Sequence, residues 1–582
     1  MTIKTMKYSE ILKENKKLSQ NGLNKAYEIA VLSNIMVTPC KEIIEYKLRR
    51  HDIGANVSFG DYDNIVKGSS DFKDSNLIII FWEACNIVDG LQYKADLMSP
   101  EDLEMLIEKT KRDIEYVLQE LRQTSTVIFN RFSSAVFNSS FLKKNNFDRL
   151  VDELNAYLEK TATPNVFLID TNKMFCRISL DKCIDLRYYY SSKALYSIDF
   201  YKEYADFIGP IIMAVNGRSK KIMVFDCDNT LWRGIVGEDG MEGIKVGAHD
   251  REGVVFEEVQ SLAMALKNRG ILLGVCSKND QEDVEKVFKE HEGVLLKDND
   301  IVIKKINWDD KVVNLENIAK ELNIGINSIV YVDDSDFEVD YIRSNYPEIE
   351  VVKVPVELFK YPGVIRESLG YFFKGSDSGE DLIRSRLYKE ESVRQGQKAR
   401  FVDYEDYLRD LDLQVLIKID DGQAVSRIAQ LTQKTNQFNL TTKRYTDADI
   451  DTFVREDDKK VFSLQVQDKF GDYGMVGLII ADILRKENRA VIDTFLLSCR
   501  VLGRNVEFVF FDFIVDYLKG IGIELLMGEY IKTPKNESCK TVYEKLGMNL
   551  AGGDDKLKKY SLEMKNYLPH NVNYIKERFD GK

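Results

Sequence analysis

With 582 residues, 44% of them hydrophobic and 30% charged, the chain is long enough to bury several cores. Its net charge of −13 speaks against general nucleic-acid binding, which wants a basic footprint, and no apolar run reaches the length of a membrane span. The eight cysteines are scattered, with no CxxC pair and no histidine cluster, which argues against a disulfide framework or a zinc site.

The first residues, MTIKTMK, lack the apolar core of a secretory leader, which together with the scattered thiols predicts a reducing, cytoplasmic setting. Residues 1–218 alternate apolar runs with helical stretches. Strands are expected at 29–33, 77–82, 126–129 and 166–170, and the apolar period over 101–122 predicts a helix. That alternation predicts a parallel βαβ sheet.

Residues 219–370 form a second α/β unit. The run 221–232, KIMVFDCDNTLW, is an apolar strand that ends in two acids at i and i+2 and then a threonine. Side chains alternate along a strand, so Asp226 and Asp228 can point the same way past its end. Two converging carboxylates are costly unless a cation lies between them, and Mg²⁺ prefers oxygen ligands. The pattern predicts a phosphoryl-handling site with one carboxylate as nucleophile, one as acid/base and one metal. Three later runs fit it. In 271–279, ILLGVCSKN, a strand ends in Ser277, Lys278 and Asn279, and a serine there can meet a phosphate oxygen. Lys311 opens a helical stretch and can neutralise a transferring phosphoryl group. In 328–335, SIVYVDDS, a strand ends in Asp333 and Asp334, which suit the metal's remaining positions. Each group lies at the C-terminal end of a strand, where open α/β sheets place ligands.

A charged helical linker is expected at 371–400, then a third α/β unit at 401–568 with a peripheral tail. Residues 475–481 and 490–497 look like adjacent strands, followed by RVLGRN at 500–505 and an apolar helix. A strand, a glycine turn and a helix N-terminus form an anion site, with Arg500, Gly503 and Arg504 as its candidate residues.

These motifs carry resemblances. The DxDxT run, with Thr230 closing it, and the three later motifs resemble the haloacid dehalogenase (HAD) superfamily. The 500–505 loop resembles that of GNAT acyltransferases, Q/R-x-x-G-x-G/A, with Asn505 in place of the last small residue; 542–548, VYEKLGM, resembles their closing segment. The order of the first unit's strands, with Ser33 ending the first, resembles SGNH hydrolases. There DLRY at 185–188 stands where that family has Asp-x-x-His, so the base is absent and a docking or assembly role is expected. The resemblance therefore implies an α/β protein of three α/β units: an SGNH-like parallel sheet, a capless HAD-like domain and a GNAT-like domain.

More narrowly, DCDNTLWRGIVGEDG at 226–240, LTQKTNQFNLTT at 431–442, DKFGD at 468–472 and LSCRVLGR at 497–504 resemble the FkbH-like proteins of HAD subfamily IIIC. That resemblance implies a Mg²⁺-dependent glyceryl transferase/phosphatase. Such enzymes take the acyl phosphate of 1,3-bisphosphoglycerate, lose both phosphates and leave a glyceryl thioester on an acyl carrier protein that feeds polyketide-type pathways. The catalytic candidates are then Asp226, Cys227, Asp228 and Lys311, and the metal ligands Asp226, Asp228, Asp333 and Asp334. The substrate-binding candidates are Thr230, Ser277, Lys278, Asn279, Arg500, Gly503 and Arg504. Two readings of Cys227 stand: a small buried apolar side chain, or a thiolate that accepts the glyceryl group before the carrier does. Trp232 is either part of a flap over the metal or packing. The gaps between Asp226, Ser277 and Lys311 leave no room for a cap domain, so the site can admit a carrier-borne phosphopantetheine arm. The alternative is a plain HAD phosphatase acting on a small phosphate ester.

Overall fold

The structure is a computed structural model that describes residues 3–20, 27–137, 143–374, 403–533 and 535–579. Most of the expected linker at 371–400 therefore lies outside the described residues. The chain folds as two compact units, Met1–Ile212 with Tyr445–Asp449, and Met213–Arg444 with Ile450–Lys582. No described helix is long and apolar enough to cross a membrane.

The first unit is built on a five-stranded parallel sheet of β1 (Tyr27–Ser33), β2 (Ala55–Phe59), β3 (Leu77–Phe81), β4 (Val127–Asn130) and β5 (Val166–Ile169), in the order β2-β1-β3-β4-β5. Every residue of β3 is fully buried, as a strand covered on both faces requires. The expected helix runs over Pro100–Glu120, with Ser99 capping it by accepting from the Asp102 amide. The edge strand β2 has no long apolar run and had no sequence signal.

The second unit holds two sheets. One is parallel: β6 (Ile222–Phe225), β7 (Leu272–Ser277), β8 (Ile303–Ile306), β9 (Ile329–Asp333) and β10 (Glu350–Lys353), ordered β10-β9-β6-β7-β8. β6 lies at its centre. Ile222 and Val224 pack into the core on one face, while Met223 and Phe225 pack into the core on the other. Phe225 pairs with Val275 and with Val332, so β6, β7 and β9 end level and present Asp226, Ser277 and Asp333 on one rim. Between β6 and β7 lie only a bridged loop and the helices Val236–Gly243 and Gly253–Asn268. Neither gap, from β6 to β7 or from β7 to Lys311, holds a cap domain among the described residues.

The other sheet is mixed: β11 (Gln414–Ile419), β12 (Phe438–Asn439), β13 (Lys459–Asp468), β14 (Gly471–Leu484), β15 (Arg489–Leu497), β16 (Leu525–Ile531), β17 (Asn549–Gly553), β18 (Leu557–Glu563) and β19 (Lys576–Phe579). Its order is β17-β18-β16-β15-β14-β13-β11-β19, with β12 paired to β15. β15–β16 and β11–β19 are parallel and the other pairs antiparallel. The apolar helix Val506–Gly520 connects β15 to β16. The tail is not peripheral, contrary to expectation. β19 extends the sheet beyond 568, and the His570 amide donates to Asp512. The run KERF, with three charges in four residues, carries no apolar strand signal.

Candidate active site

The rim of the parallel sheet gathers the acids. The Asp226 amide donates to the Val332 carbonyl at 2.9 Å, which continues the β6–β9 ladder one residue past β6 and sets Asp226 beside Asp333. Lys311, the first residue of the helix Lys311–Glu321, lies between them. Its Nζ is 2.9 Å from Asp226 Oδ1 and 2.7 Å from Asp333 Oδ2. All three side chains are buried. Asp310 caps that helix by accepting from the Val312 amide, so the cap fixes where the ammonium enters. Tyr331 donates to Asp333 Oδ2 at 2.5 Å, and the Ser335 amide donates to Asp333 Oδ1 at 2.8 Å.

Oxygens of Asp226, Asp333 and Asp334 lie within 4.8 Å of one another. Burial pushes the Asp226 carboxyl up; Lys311 pulls it down and Asp333 pushes it up. Burial and the Asp333 charge also raise Asp334. Three crowded carboxylates with one ammonium among them form a hard oxygen donor set, and a divalent cation such as Mg²⁺ fits it.

Asp228 does something else. Its Oδ1 accepts from Trp232 Nε1 at 2.9 Å and from the Val236 amide at 3.1 Å, and its Oδ2 accepts from Asn279 Nδ2 at 2.8 Å. The Asp228 carboxylate is therefore outside the three-acid group, which corrects its expected place among the side-chain metal ligands. It remains an acid held at a fixed angle by three donors, as an acid/base requires.

For Cys227 the geometry agrees with the first of the two readings, the buried side chain. Its side chain is fully buried in the apolar cluster with Phe225, Leu231 and Trp232. Burial pushes the thiol well above its usual range, and Asp226 pushes the same way. Burial and the neighbouring Asp226 both work against the thiolate that a nucleophile needs. Cys276 is likewise buried, its thiol raised by burial.

The remaining candidates divide. Ser277 is buried and hydrogen-bonds the Asp226 carboxyl. Thr230 is fully buried, and its hydroxyl has no partner among the described residues. Asn279 holds Asp228, as above. Lys278 turns to Glu338, 2.7 Å away. Trp232 is packing that also orients: it is fully buried edge-on against Phe288 while it donates to Asp228. Tyr331 was missed, because a tyrosine inside an apolar strand reads as core.

In the mixed sheet, Arg500 and Arg504 do not face outward as expected. Arg500 donates to the Tyr473 carbonyl at 2.7 Å and to Ser498 Oγ at 3.1 Å. Arg504 is buried, donates to the Arg500 carbonyl and lies 4.8 Å from the centre of the Tyr473 ring. Gly503 has a φ of 78°, and its carbonyl accepts from Tyr404 at 2.7 Å. In the first unit, Ser33 donates to the Ile35 carbonyl at 2.8 Å and Asp185 pairs with Arg187 at 2.7 Å, so neither is poised for hydrolysis.

No protein-family model and no curated protein matches this chain. Among solved structures, the N-terminal part of BF1531 from Bacteroides fragilis contains a phosphatase domain and was crystallised with Mg. It is similar at a TM-score of 0.56 and 25% identity, over 63% of this chain and 99% of that one. The ribosomal-protein-S18-alanine N-acetyltransferase from Escherichia coli matches 25% of this chain and 94% of its own at 15% identity and a TM-score of 0.19. An N-acetyltransferase from Staphylococcus aureus Mu50 matches 26% and 99% at 16% identity and a TM-score of 0.20. Scores this low say nothing of the mixed sheet's fold, whereas the longer match agrees with a HAD-type phosphatase domain in this chain.

Proposed function

We propose that the parallel sheet of the second unit carries a Mg²⁺-dependent, HAD-type phosphoryl site. The further proposal is that the chain transfers a glyceryl group from 1,3-bisphosphoglycerate to the phosphopantetheine thiol of an acyl carrier protein, with loss of both phosphates. One observation carries the first part: Lys311 bridges Asp226 and Asp333 beside Asp334 at an uncapped rim. The phosphatase domain and Mg of the Bacteroides structure support it. The finer substrate reading is supported by the FkbH-like motifs and by a mouth that no cap domain closes.

In this mechanism Asp226 attacks phosphorus, and the bond to the leaving oxygen breaks as Asp228 gives that oxygen its proton. Asp228 then takes a proton from the water that hydrolyses the aspartyl phosphate. Lys311 favours the ionised form of Asp226 against the opposing effect of burial, and Asn279, Trp232 and the Val236 amide aim Asp228. Asp226, Asp333 and Asp334 would hold Mg²⁺, which supplies charge neutralisation for the phosphoryl oxygens. Because Cys227 is buried and neutral, the carrier thiol is taken to attack the acyl carbon directly. The acyl carbon–oxygen bond then breaks and the 1-phosphate leaves.

Incubation with 1,3-bisphosphoglycerate and a panel of holo carrier proteins, read by intact mass, tests this. A carrier that gains a glyceryl group without phosphate supports transfer. Phosphate release with every carrier unchanged would leave the plain phosphatase reading.

A further inference from the structure

The mixed sheet contains a slot that the chain fills with itself. β15 and β16 pair in parallel from Arg489 with Leu525 to Ile492 with Gly528. Beyond that point no pairing joins them, although β15 runs on to Leu497 and β16 to Ile531. Parallel strands that part leave two facing rows of amides and carbonyls in need of partners. An extended ligand with amides of its own, such as a pantetheine arm, can add there as a short strand. This is the cleft that the GNAT resemblance would assign to a thioester arm.

β12 occupies it. Phe438 pairs with Leu497 and Asn439 with Leu496, antiparallel. The Leu440 amide donates to the Phe495 carbonyl at 3.0 Å, and the Ile531 amide donates to the Leu440 carbonyl at 2.8 Å. One short segment thus bonds both parted strands. Thr441 Oγ1 donates to the Asp493 carbonyl at 2.9 Å. Asn536 clasps the arrangement: its Nδ2 donates to the carbonyls of Asn439 and Ile531, each at 2.9 Å. Asn439, Leu440 and Asn536 are fully buried, and Phe438 packs edge-on against Phe495.

We infer that residues 437–441 are the permanent occupant of this slot, and that the mixed sheet takes no pantetheine-bearing thioester there, neither CoA nor a carrier's arm. An arm would have to expel Leu440 and Phe438 from the core and break bonds on both edges before making its own. The candidate residues at the neighbouring helix start bond within the chain. Arg500 donates to Tyr473 and Ser498, Arg504 to the Arg500 carbonyl, and Asn505, at the N-cap position, donates to the Tyr574 hydroxyl at 2.6 Å. The inference stands independently of the phosphoryl reading. It leaves the rim around Asp226 as the destination of any carrier thiol.

Hydrogen exchange on the full chain, with and without millimolar acetyl-CoA, tests it. The 437–441 and 529–531 amides are expected to exchange as slowly as those of β14 and to be unmoved by acetyl-CoA. Loop-like exchange at 437–441, or a saturable loss of protection there with acetyl-CoA, would overturn it. Asn536→Ala removes the clasp and is expected to speed exchange at 437–441 at least ten-fold while β6 and β7 are unchanged. Equal exchange in that variant would also overturn the assignment. If the variant does not fold, the wild-type measurement decides alone.

Discussion

Trp232 and Asp228 are joined by an indole N–H donated to Oδ1 at 2.9 Å, across a tryptophan that no solvent touches. The flap residue therefore aims the second acid rather than covering the site from outside. Trp232→Phe keeps an aromatic ring near Phe288 but loses the donor and part of the buried ring volume. We expect kcat for a small phosphate ester to fall about 10- to 100-fold, at the low end of what general acid–base groups contribute. KM should change little, and the melting temperature should fall modestly because the smaller ring leaves a cavity. An unchanged kcat would show that the Val236 amide and Asn279 hold Asp228 without it.

Lys311 carries the opposite charge in a cluster of buried acids. Removing one partner of a buried ion pair costs roughly 3–5 kcal/mol, because the remaining charges lose their compensation. Lys311→Met should therefore lower the melting temperature and abolish phosphate release. Millimolar Mg²⁺ should restore part of the stability, since it adds positive charge to the same carboxylates. A melt that is insensitive to Mg²⁺ in both proteins would remove the metal from this cluster.

Asp226→Asn should end turnover while the fold persists. Asp334→Asn should instead raise the Mg²⁺ concentration that half-saturates activity at least ten-fold, with residual turnover at high Mg²⁺. Phosphate release measured across a Mg²⁺ titration separates the two. Near-wild-type release by Asp226→Asn would mean that another group attacks phosphorus.

Parallel buried strands were readable because both faces demand apolar residues: IMVF, LLGVCS and IVYVD announce themselves, and the acid or hydroxyl after each marks the rim. Edge strands were harder: apolar β5 was readable, but β2, β8, β10 and β19 were not. Ile303-Lys304-Lys305-Ile306 and Glu350-Val351-Val352-Lys353 are short and half charged, and β19, KERF, has three charged residues out of four. At the site, residue types and strand ends gave Asp226, Ser277, Lys311, Asp333 and Asp334. They did not tell that the Asp228 carboxylate turns away from the other acids, nor which of the two readings of Cys227 holds, because a strand's alternation stops once the chain turns. The Thr230 and Leu231 amides both bond back to the Cys227 carbonyl, and Asn229 takes a φ of 53°. That turn buries the thiol and sends the Asp228 carboxylate toward Trp232 and Asn279. Arg500 and Arg504 misled for a related reason: a cation near a helix start reads as an anion site unless its own carbonyl partners are known.

Those two arginines should behave as structural residues. Arg504→Ala removes a buried guanidinium from the Tyr473 ring and from the Arg500 carbonyl, and cation–π contacts of this kind contribute about 2 kcal/mol when desolvated. The melting temperature should fall, while hydrolysis of a small phosphate ester and the apparent KM for a holo carrier stay within two-fold. A selective rise in the carrier KM would return both residues to a binding role.

Glu83, at the end of β3, should make the first unit's stability depend on pH. Its carboxyl is buried and accepts from Tyr196 at 2.8 Å, and burial lifts it from its ordinary 4.5 to about 7, against the pull of that hydrogen bond. Between those two values the folded chain binds a proton that the unfolded chain has released. Stability therefore falls as pH rises from 4.5 toward 7, and the whole penalty, roughly 3 kcal/mol, is present above 7. Glu83→Gln keeps the shape and the acceptor but cannot ionise. The variant should match the wild type near pH 4.5, exceed it above pH 7, and lose the slope between. Exchange protection of β1 and β3 amides across that range is the readout, because it reports this unit alone. Parallel slopes in the two proteins would mean that Glu83 stays ionised in the folded chain.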